Sequence, residues 1–343
     1  MTGSTRNTST TSTDASITGS SGQGGFQDNS CKEEDGHITK MTKNRTKAVT
    51  ENAESRALVT CAFQLARSLE IGKLLVHADE LRDIRFVDTL RVAERVIWLT
   101  GHDAALPVAE RSRDVVLHLP ETALTRISQL KVSLLLAVMN NHIELDESIV
   151  CLSGVAGSKR LDTLLIANAR RDFPWFREHS IDEIQDIFST RELARILDIA
   201  LRLAAEGCEG KPIGTIFVLG VEDQLEPYLR QLVLNPCEGH PQRARNIHRP
   251  ELFETIREFA GLDGAFIVNN RGVLQSAGTY LDAPVKKSKL RAGLGARHAA
   301  GLAITAATDA LAIVVSSSSG SVAVFHEGRE ILQLERPEPN STQ

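Results

Sequence analysis

Gly261-Leu262-Asp263-Gly264-Ala265-Phe266-Ile267-Val268-Asn269-Asn270-Arg271-Gly272-Val273-Leu274-Gln275-Ser276-Ala277-Gly278 sets the plan of the C-terminal half of this chain. Ala265 to Asn269 is a short apolar run and predicts a strand. Asn270-Arg271-Gly272 predicts a turn, and Val273 to Ala277 its hairpin partner. Asp263 stands at the mouth of the first strand, followed by a glycine. There it can face a pocket and hold a divalent metal or a sugar hydroxyl. An Asp at that place is equally a turn cap, and the residues alone leave both readings open.

Outward from this hairpin the pattern stays mixed. Downstream, Ala296 to Ala307 predicts a helix, with Ala299, Leu302, Ala303 and Ala306 on one apolar stripe. Leu311 to Val315, Ser321 to Phe325 and Glu330 to Leu334 predict an antiparallel meander that turns at Gly320 and Gly328. Upstream, Pro250 to Ala260 predicts a helix with Pro250 at its first position, where a missing N–H costs nothing. Asn235 to Arg249 reads as a polar loop whose Arg243, Arg245, His248 and Arg249 are solvated charges. Ile213 to Leu219 predicts a strand. Thr190 to Ala205 predicts a helix on the spacing of Leu193, Ile196, Leu197 and Ala200.

Before Phe173-Pro174-Trp175-Phe176 the pattern changes. Ala53 to Leu69 is amphipathic at helical spacing. Four apolar runs then follow, at Lys73–Ala78, Arg95–Thr100, Asp114–Leu119 and Ser148–Ser153, with helix-like stretches between them. Near-continuous apolar strands separated by helices predict a parallel sheet covered on both faces. The fold class is therefore α/β: an N-terminal parallel-sheet domain of about four strands over 46–178, then a mixed α/β domain over 185–335 around a mainly antiparallel sheet. Residues 1–45, rich in Ser, Thr, Gly and Asn, read as a disordered tail, and 336–343 as a second tail.

Composition narrows the function classes. Of 343 residues, 42% are hydrophobic and 24% charged, ordinary for a soluble globular protein. The net charge of -5 argues against a protein held to nucleic acid by bulk charge. No apolar stretch approaches the ~18 residues of a membrane span, Val132 to Met139 being the longest candidate, and no signal pattern opens the chain. The expected location is the cytoplasm. The five cysteines, at 31, 61, 151, 208 and 237, form no metal spacing and read as reduced, buried thiols.

Two familiar phosphate motifs are excluded. Gly154-Val155-Ala156-Gly157-Ser158-Lys159 has the wrong spacing for a P-loop, and Gly293-Leu294-Gly295-Ala296-Arg297-His298 has His298 where a dinucleotide fold needs its third glycine. The second segment still suits an anion. Its glycines allow close approach, and the helix that follows presents free N–H groups and a positive dipole end. Arg297 and His298 sit in that first turn, where cations are disfavoured unless an anion lies between them and the helix. A solvated Arg and a packed His after a glycine turn account for the same letters.

Taken in order, Gly261 to Val268, the hairpin ending Ser276-Ala277-Gly278, Gly293 to Ala300, and Thr308 to Ser316 together resemble the diadenylate cyclase family. That family is marked by a DGA motif and, about thirty residues later, a GxRH motif. The resemblance covers roughly 185 to 335. It implies condensation of two ATP into cyclic di-AMP with Mn²⁺ or Mg²⁺, at the face-to-face contact of two cyclase domains in a homo-oligomer. It implies roles residue by residue. Asp263 would bind the metal and activate the ribose 3′-hydroxyl. Gly264 and Ala265 would complete the first motif. Gly278, Tyr280 and Leu281 would lie against adenine. Gly295, Ala296, Arg297 and His298 would hold the triphosphate, with His298 near the metal, and Ser316 and Ser317 would face the phosphates. Ala299 replaces a second Arg seen in many members, Ala296 a Thr, and Ser317 to Ser319 stand where many have acidic residues. The first domain resembles the pyruvate-kinase-C-terminal-like domain that precedes the cyclase in one branch of the family. The alternatives are a catalytically weak or inactive adenine-nucleotide module, and a regulatory scaffold whose first domain binds a metabolite.

Overall fold

A computed structural model describes residues 53–101, 114–122, 124–173, 190–207, 212–284 and 295–337. The predicted tail over 1–45 lies outside them, as do Gly293, Leu294 and residues 338–343 of the tail predicted over 336–343; its first two residues are described, Arg336 half-buried and Pro337 buried. The apolar runs of the first half form β1 (Lys73–His77), β2 (Arg95–Thr100), β3 (Val115–His118) and β4 (Ser148–Ser153). They pair in parallel in the order β3-β2-β1-β4. A fifth strand, β5 (Thr163–Asn168), closes the sheet antiparallel to β4, so the expectation of four strands was one short.

A parallel sheet needs cover on both faces. The helix over 53–68, α1, supplies one face: Val59, Phe63 and Ala66 share an apolar cluster with Leu74, Val76, Val96 and Trp98. After the short α2 (Arg85–Leu90), α3 (Arg126–Met139) covers the other. Thr125 caps α3 by accepting the Ser128 N–H at 3.3 Å. Its Leu130, Leu134, Leu135 and Val138 cluster with Leu75, Ile97 and Cys151. The run Val132 to Met139 is thus apolar because it is a core helix. No helix among the described residues is long and apolar enough to cross a membrane.

The second sheet has seven strands in the order β12-β11-β10-β6-β8-β9-β7. These are β6 (Thr215–Leu219), β7 (Leu229–Gln231), β8 (Ala265–Val268), β9 (Leu274–Leu281), β10 (Leu311–Val315), β11 (Val322–His326) and β12 (Arg329–Leu334). Only β6 and β8 pair in parallel; the other neighbours are antiparallel. Alternation along the strands divides the two faces. Ile216, Val218, Ala265, Ile267, Ala312 and Val314 face α6 (Ala296–Ala307), which contributes Leu302 and Ile304. Phe217, Leu219, Phe266, Val268, Ile313 and Val315 face α4 (Thr190–Glu206) and α5 (Leu252–Phe259).

α4 and α3 lie in the same cluster, so one apolar core runs from the first sheet to the second. All described residues fall within one compact unit, Val49–Gln343. Two local expectations are corrected. α5 begins at Leu252 with Glu251 as its N-cap, which leaves Pro250 ahead of the helix. The loop cations are partly knitted in, since Arg245 donates to the Leu274 carbonyl at 2.6 Å and His248 lies 3.2 Å from Glu192. The cysteine expectation holds for Cys151 and Cys237, which are buried, whereas Cys61 is exposed; all three are free thiols.

Candidate active site

Strand register assembles the site. Val315 pairs with Thr215, and Phe217 with Phe266. Carried outward, this register puts Ser316 and Ser317, Gly214 and Asp263 on one edge of the neighbouring strands β10, β6 and β8. The N-terminus of α6 opens beside the same edge. Gly295 is its N-cap, with extended backbone, and Arg297 reaches across so that its Nη2 lies 3.5 Å from Asp263 Oδ1. Asp263 is 93% exposed and Arg297 33%. This ion pair is therefore weak in itself, on the order of 0–1 kcal/mol, and both groups remain available to a ligand.

Backbone crowding explains the glycines. Gly264 has φ +116, and a Cβ there would meet the Gly278 carbonyl carbon at 2.5 Å and the Thr279 nitrogen at 2.6 Å. Gly278 has φ +66. Its Cβ would meet Val233 Cγ2 at 2.7 Å. The two chains cross where β8 starts and β9 bulges, and only glycine tolerates that crossing. A polar chain fixes the bulge: Thr279 Oγ1 donates to Gln231 Oε1 at 3.1 Å, Ser276 Oγ lies 2.7 Å from Thr279 Oγ1, and Gln231 Nε2 donates to the Ala277 carbonyl at 2.6 Å. Asp263 is thereby held on a rigid start of strand.

The structure brings together Asp263, Gly264, Ala265, Gly278, Gly295, Ala296, Arg297, Ser316 and Ser317 at this end of the sheet. Ala265 is buried opposite Thr279. On β9, Leu281 is buried and Tyr280 is half exposed beside Arg230 of the edge strand β7. His298 lies in the first turn of α6 with its ring edge-on to Phe325, centroids 5.9 Å apart. Burial lowers its pKa and favours the neutral ring. Its described contacts are with Phe325 and the helix start, and not with Asp263. Ser316 closes a turn: its Oγ accepts the Ser319 N–H at 3.2 Å and its carbonyl accepts the Gly320 N–H at 2.9 Å.

Gly214 was not singled out from sequence. A Cβ there would stand 2.6 Å from Ser317 Cβ and 3.1 Å from Arg297 Nη1, so its missing side chain keeps that corner open. Nothing in the letters marks it; only the register does. The exposed Val233 beside Gly278 is a second omission.

The excluded P-loop look-alike has its own explanation. The Glu80 carboxylate accepts the N–H groups of Gly157 and Lys159 at 2.6 and 2.7 Å, so the loop's donors are satisfied inside the chain.

Asp263 is one carboxylate, and among the described residues no group of three or more His, Cys, Asp or Glu could hold a metal. A divalent ion of the Mg²⁺ type fits such a site when one or two carboxylates hold it and phosphate oxygens and water complete its shell. The donor set fits a metal that arrives with a nucleotide.

Residues 202–330 match the family described as DisA bacterial checkpoint controller nucleotide-binding. Over 177 residues the chain is 34% identical to the diadenylate cyclase of Methanocaldococcus jannaschii, which covers 51% of this chain and 56% of that protein. Over 205 residues it is 31% identical to the diadenylate cyclase of Haloferax volcanii, covering 58% and 72%. Among solved structures, DacA from Staphylococcus aureus aligns with a TM-score of 0.31 at 24% identity, over 41% of this chain and 87% of that one. A pyruvate kinase from Cryptosporidium parvum aligns with 0.29 at 14%, over 34% and 23%. With 31% identity across 72% of the Haloferax relative, and its DGA and GxRH segments meeting at one sheet edge, the chain belongs to the diadenylate cyclase family.

Proposed function

We propose that this chain condenses two ATP into cyclic di-AMP, releasing two pyrophosphates. The observation that carries the reading is the convergence of Asp263, Arg297 and the Ser316-Ser317 turn at one edge of the sheet in a member of this family. Asp263 takes the ribose 3′-hydroxyl and its proton. The 3′-oxygen then forms a bond to the α-phosphorus of the other nucleotide, and the bond to the β-phosphate breaks, pyrophosphate leaving with the electron pair. A second such transfer, with the roles of the two nucleotides exchanged, closes the ring and releases the second pyrophosphate. Arg297 and the N–H groups of α6 hold the triphosphate, and the Ser316-Ser317 turn lines its far side. Adenine lies along Gly278 to Leu281, with Val233 beside it. Mn²⁺ or Mg²⁺, when bound, neutralises phosphate charge and lowers the pKa of the attacking hydroxyl. Such chemistry is mostly positioning and charge neutralisation.

One site presents one ATP, so each 3′-hydroxyl needs an α-phosphate from a second site. The active species is then a face-to-face pair of cyclase domains in a homo-oligomer, a self-complementary contact, located in the cytoplasm. Residues 46–178 form the regulatory α/β domain and 185–335 the cyclase domain. Purified chain incubated with ATP and Mn²⁺ or Mg²⁺ should yield the cyclic dinucleotide by mass analysis. A second reading, an adenine-nucleotide module without chemistry, is favoured by the serine turn, whose hydroxyls bond one another where an acidic group would serve a metal. Saturable ATP binding with no dinucleotide product would establish that reading instead.

A further inference from the structure

The edge strand β3 and the segment that follows it line a cleft of about 670 Å³, with Gly101 after β2, Leu136 and Asn140 at the end of α3, and α4 as its other walls. That volume lies within the range of small-molecule sites, about 300–1,000 Å³. One wall is apolar, with Leu119, Leu136 and Ala194. Four basic side chains converge on the rest: His118 from β3, Arg191 and Arg195 from α4, and His248 from the loop ahead of α5.

The acidic lining is Asp198 and Glu121. Asp198 is already committed. It accepts from Arg195 Nη1 at 2.6 Å and from the Glu121 N–H at 3.3 Å, which ties the segment after β3 to α4. Arg195 also donates from Nε to the Ile247 carbonyl at 2.9 Å, and His248 lies 3.2 Å from Glu192. These pairs make a fixed floor. The side chains of Arg191 and His118 make no hydrogen bond or ion pair among the described residues, and the Glu121 carboxylate has no partner among them either. The cleft thus offers two uncommitted basic groups against one uncommitted carboxylate, on a rigid polar floor with an apolar wall.

We propose that this cleft is a second ligand site, for a small hydroxylated anion bearing carboxylate or phosphate. Arg191 and His118 take the anionic group, while Glu121 and the Asn140 side-chain oxygen accept from its hydroxyls. The proposal does not depend on the cyclase reading, because binding is measured directly. α4 presents residues 191, 194, 195 and 198 to the cleft. Its Leu193, Ile196, Leu197 and Ala200 lie in the core with β10 and β11. A ligand held there bears on β10, the strand that leads into Ser316.

The test uses the full chain carrying Arg297→Ala, so that anions do not report the nucleotide site. Citrate and ribose 5-phosphate are titrated by calorimetry at constant ionic strength; they separate a carboxylate source from a phosphate source. Saturable binding of either one below about 10 mM, weakened about tenfold by Arg191→Ala through loss of a charge-assisted bond, is the expected result. Arg191 is exposed and without a described partner, so its variant should fold; a melting temperature within about 2 °C of the parent checks this. His118→Ala should weaken the same ligand. Absence of saturable binding for both probes, or binding that Arg191→Ala leaves unchanged, overturns the proposal.

Discussion

Gly214→Ala isolates the corner between Ser317 and Arg297. The backbone of Gly214 is outside the left-handed region, so an alanine carries no conformational penalty, and its effect comes from contact alone. The new methyl would stand 2.6 Å from Ser317 Cβ, 3.0 Å from Ser317 N and 3.1 Å from Arg297 Nη1. Ordinary carbon contacts lie at about 3.5–4.0 Å, so the overlap with Ser317 is about 1 Å. Ser317 sits on an exposed turn and can retreat, which keeps the stability cost at the low end of the usual ~1–3 kcal/mol for overpacking. The turn and the guanidinium then both leave their places. A displacement of about 1 Å at a reacting site can cost about 10²-fold in rate, or ~2.7 kcal/mol. The expected result is a kcat/KM for ATP in cyclic di-AMP formation lower by about two orders of magnitude, with a melting temperature within a few degrees of wild type. Adding Ser317→Gly removes the 2.6 Å contact and should restore about tenfold of the loss. A folded Gly214→Ala chain with unchanged ATP affinity and product formation would refute the placement of this corner at the phosphates.

Asp263→Asn keeps the shape and removes the charge, and should abolish product in the mass assay while ATP titration stays near wild type. Arg297→Ala should weaken ATP by about 1.5–3 kcal/mol, roughly 10- to 150-fold in the dissociation constant. Glu94 provides a pH prediction away from the site. Burial pulls its carboxyl upward, but the Arg67 hydrogen bond at 2.6 Å and the backbone N–H groups of Val92 and Ala93 outweigh this and hold it at about 2. A depressed carboxyl contributes stability above its unfolded pKa and loses it as pH falls through the folded value. Glu94→Gln should therefore lower the melting temperature at pH 7, and the difference from wild type should shrink between about pH 4.5 and 2.

Much of this architecture was legible because its elements are local. β1 to β4 are nearly unbroken apolar runs, and the two site motifs are contiguous segments. What escaped was nonlocal or weak. β5 reads Thr163 to Asn168 with a mostly half-buried pattern, as an edge strand does, and its periodicity does not separate it from loop. β7 has three residues, two of them exposed, and exists only because β9 offers an edge. β9 itself runs on to Leu281 past the expected end at Ala277, since Gly278 bends the strand without ending it. Pro250 was a fair first-turn residue by preference, yet the helix starts after it. Gly214 could not be found from letters, as a residue whose role is to lack a side chain acquires meaning only when Ser317 and Arg297 are brought against it.

The shared core bears on how the first sheet can influence the second. Leu130, Leu134 and Leu135 of α3 belong to one apolar cluster with Leu193, Ile196 and Leu197 of α4. Lys131 also donates to the Gln333 carbonyl at 3.1 Å, and the Glu335 N–H to Ser128 Oγ at 3.3 Å. The two helices join the sheets through one apolar layer, so a signal from the first sheet can travel as a small displacement of packed helices. α4 is the element placed to carry it, since it touches the cleft on one face and the β10 side of the second sheet on the other.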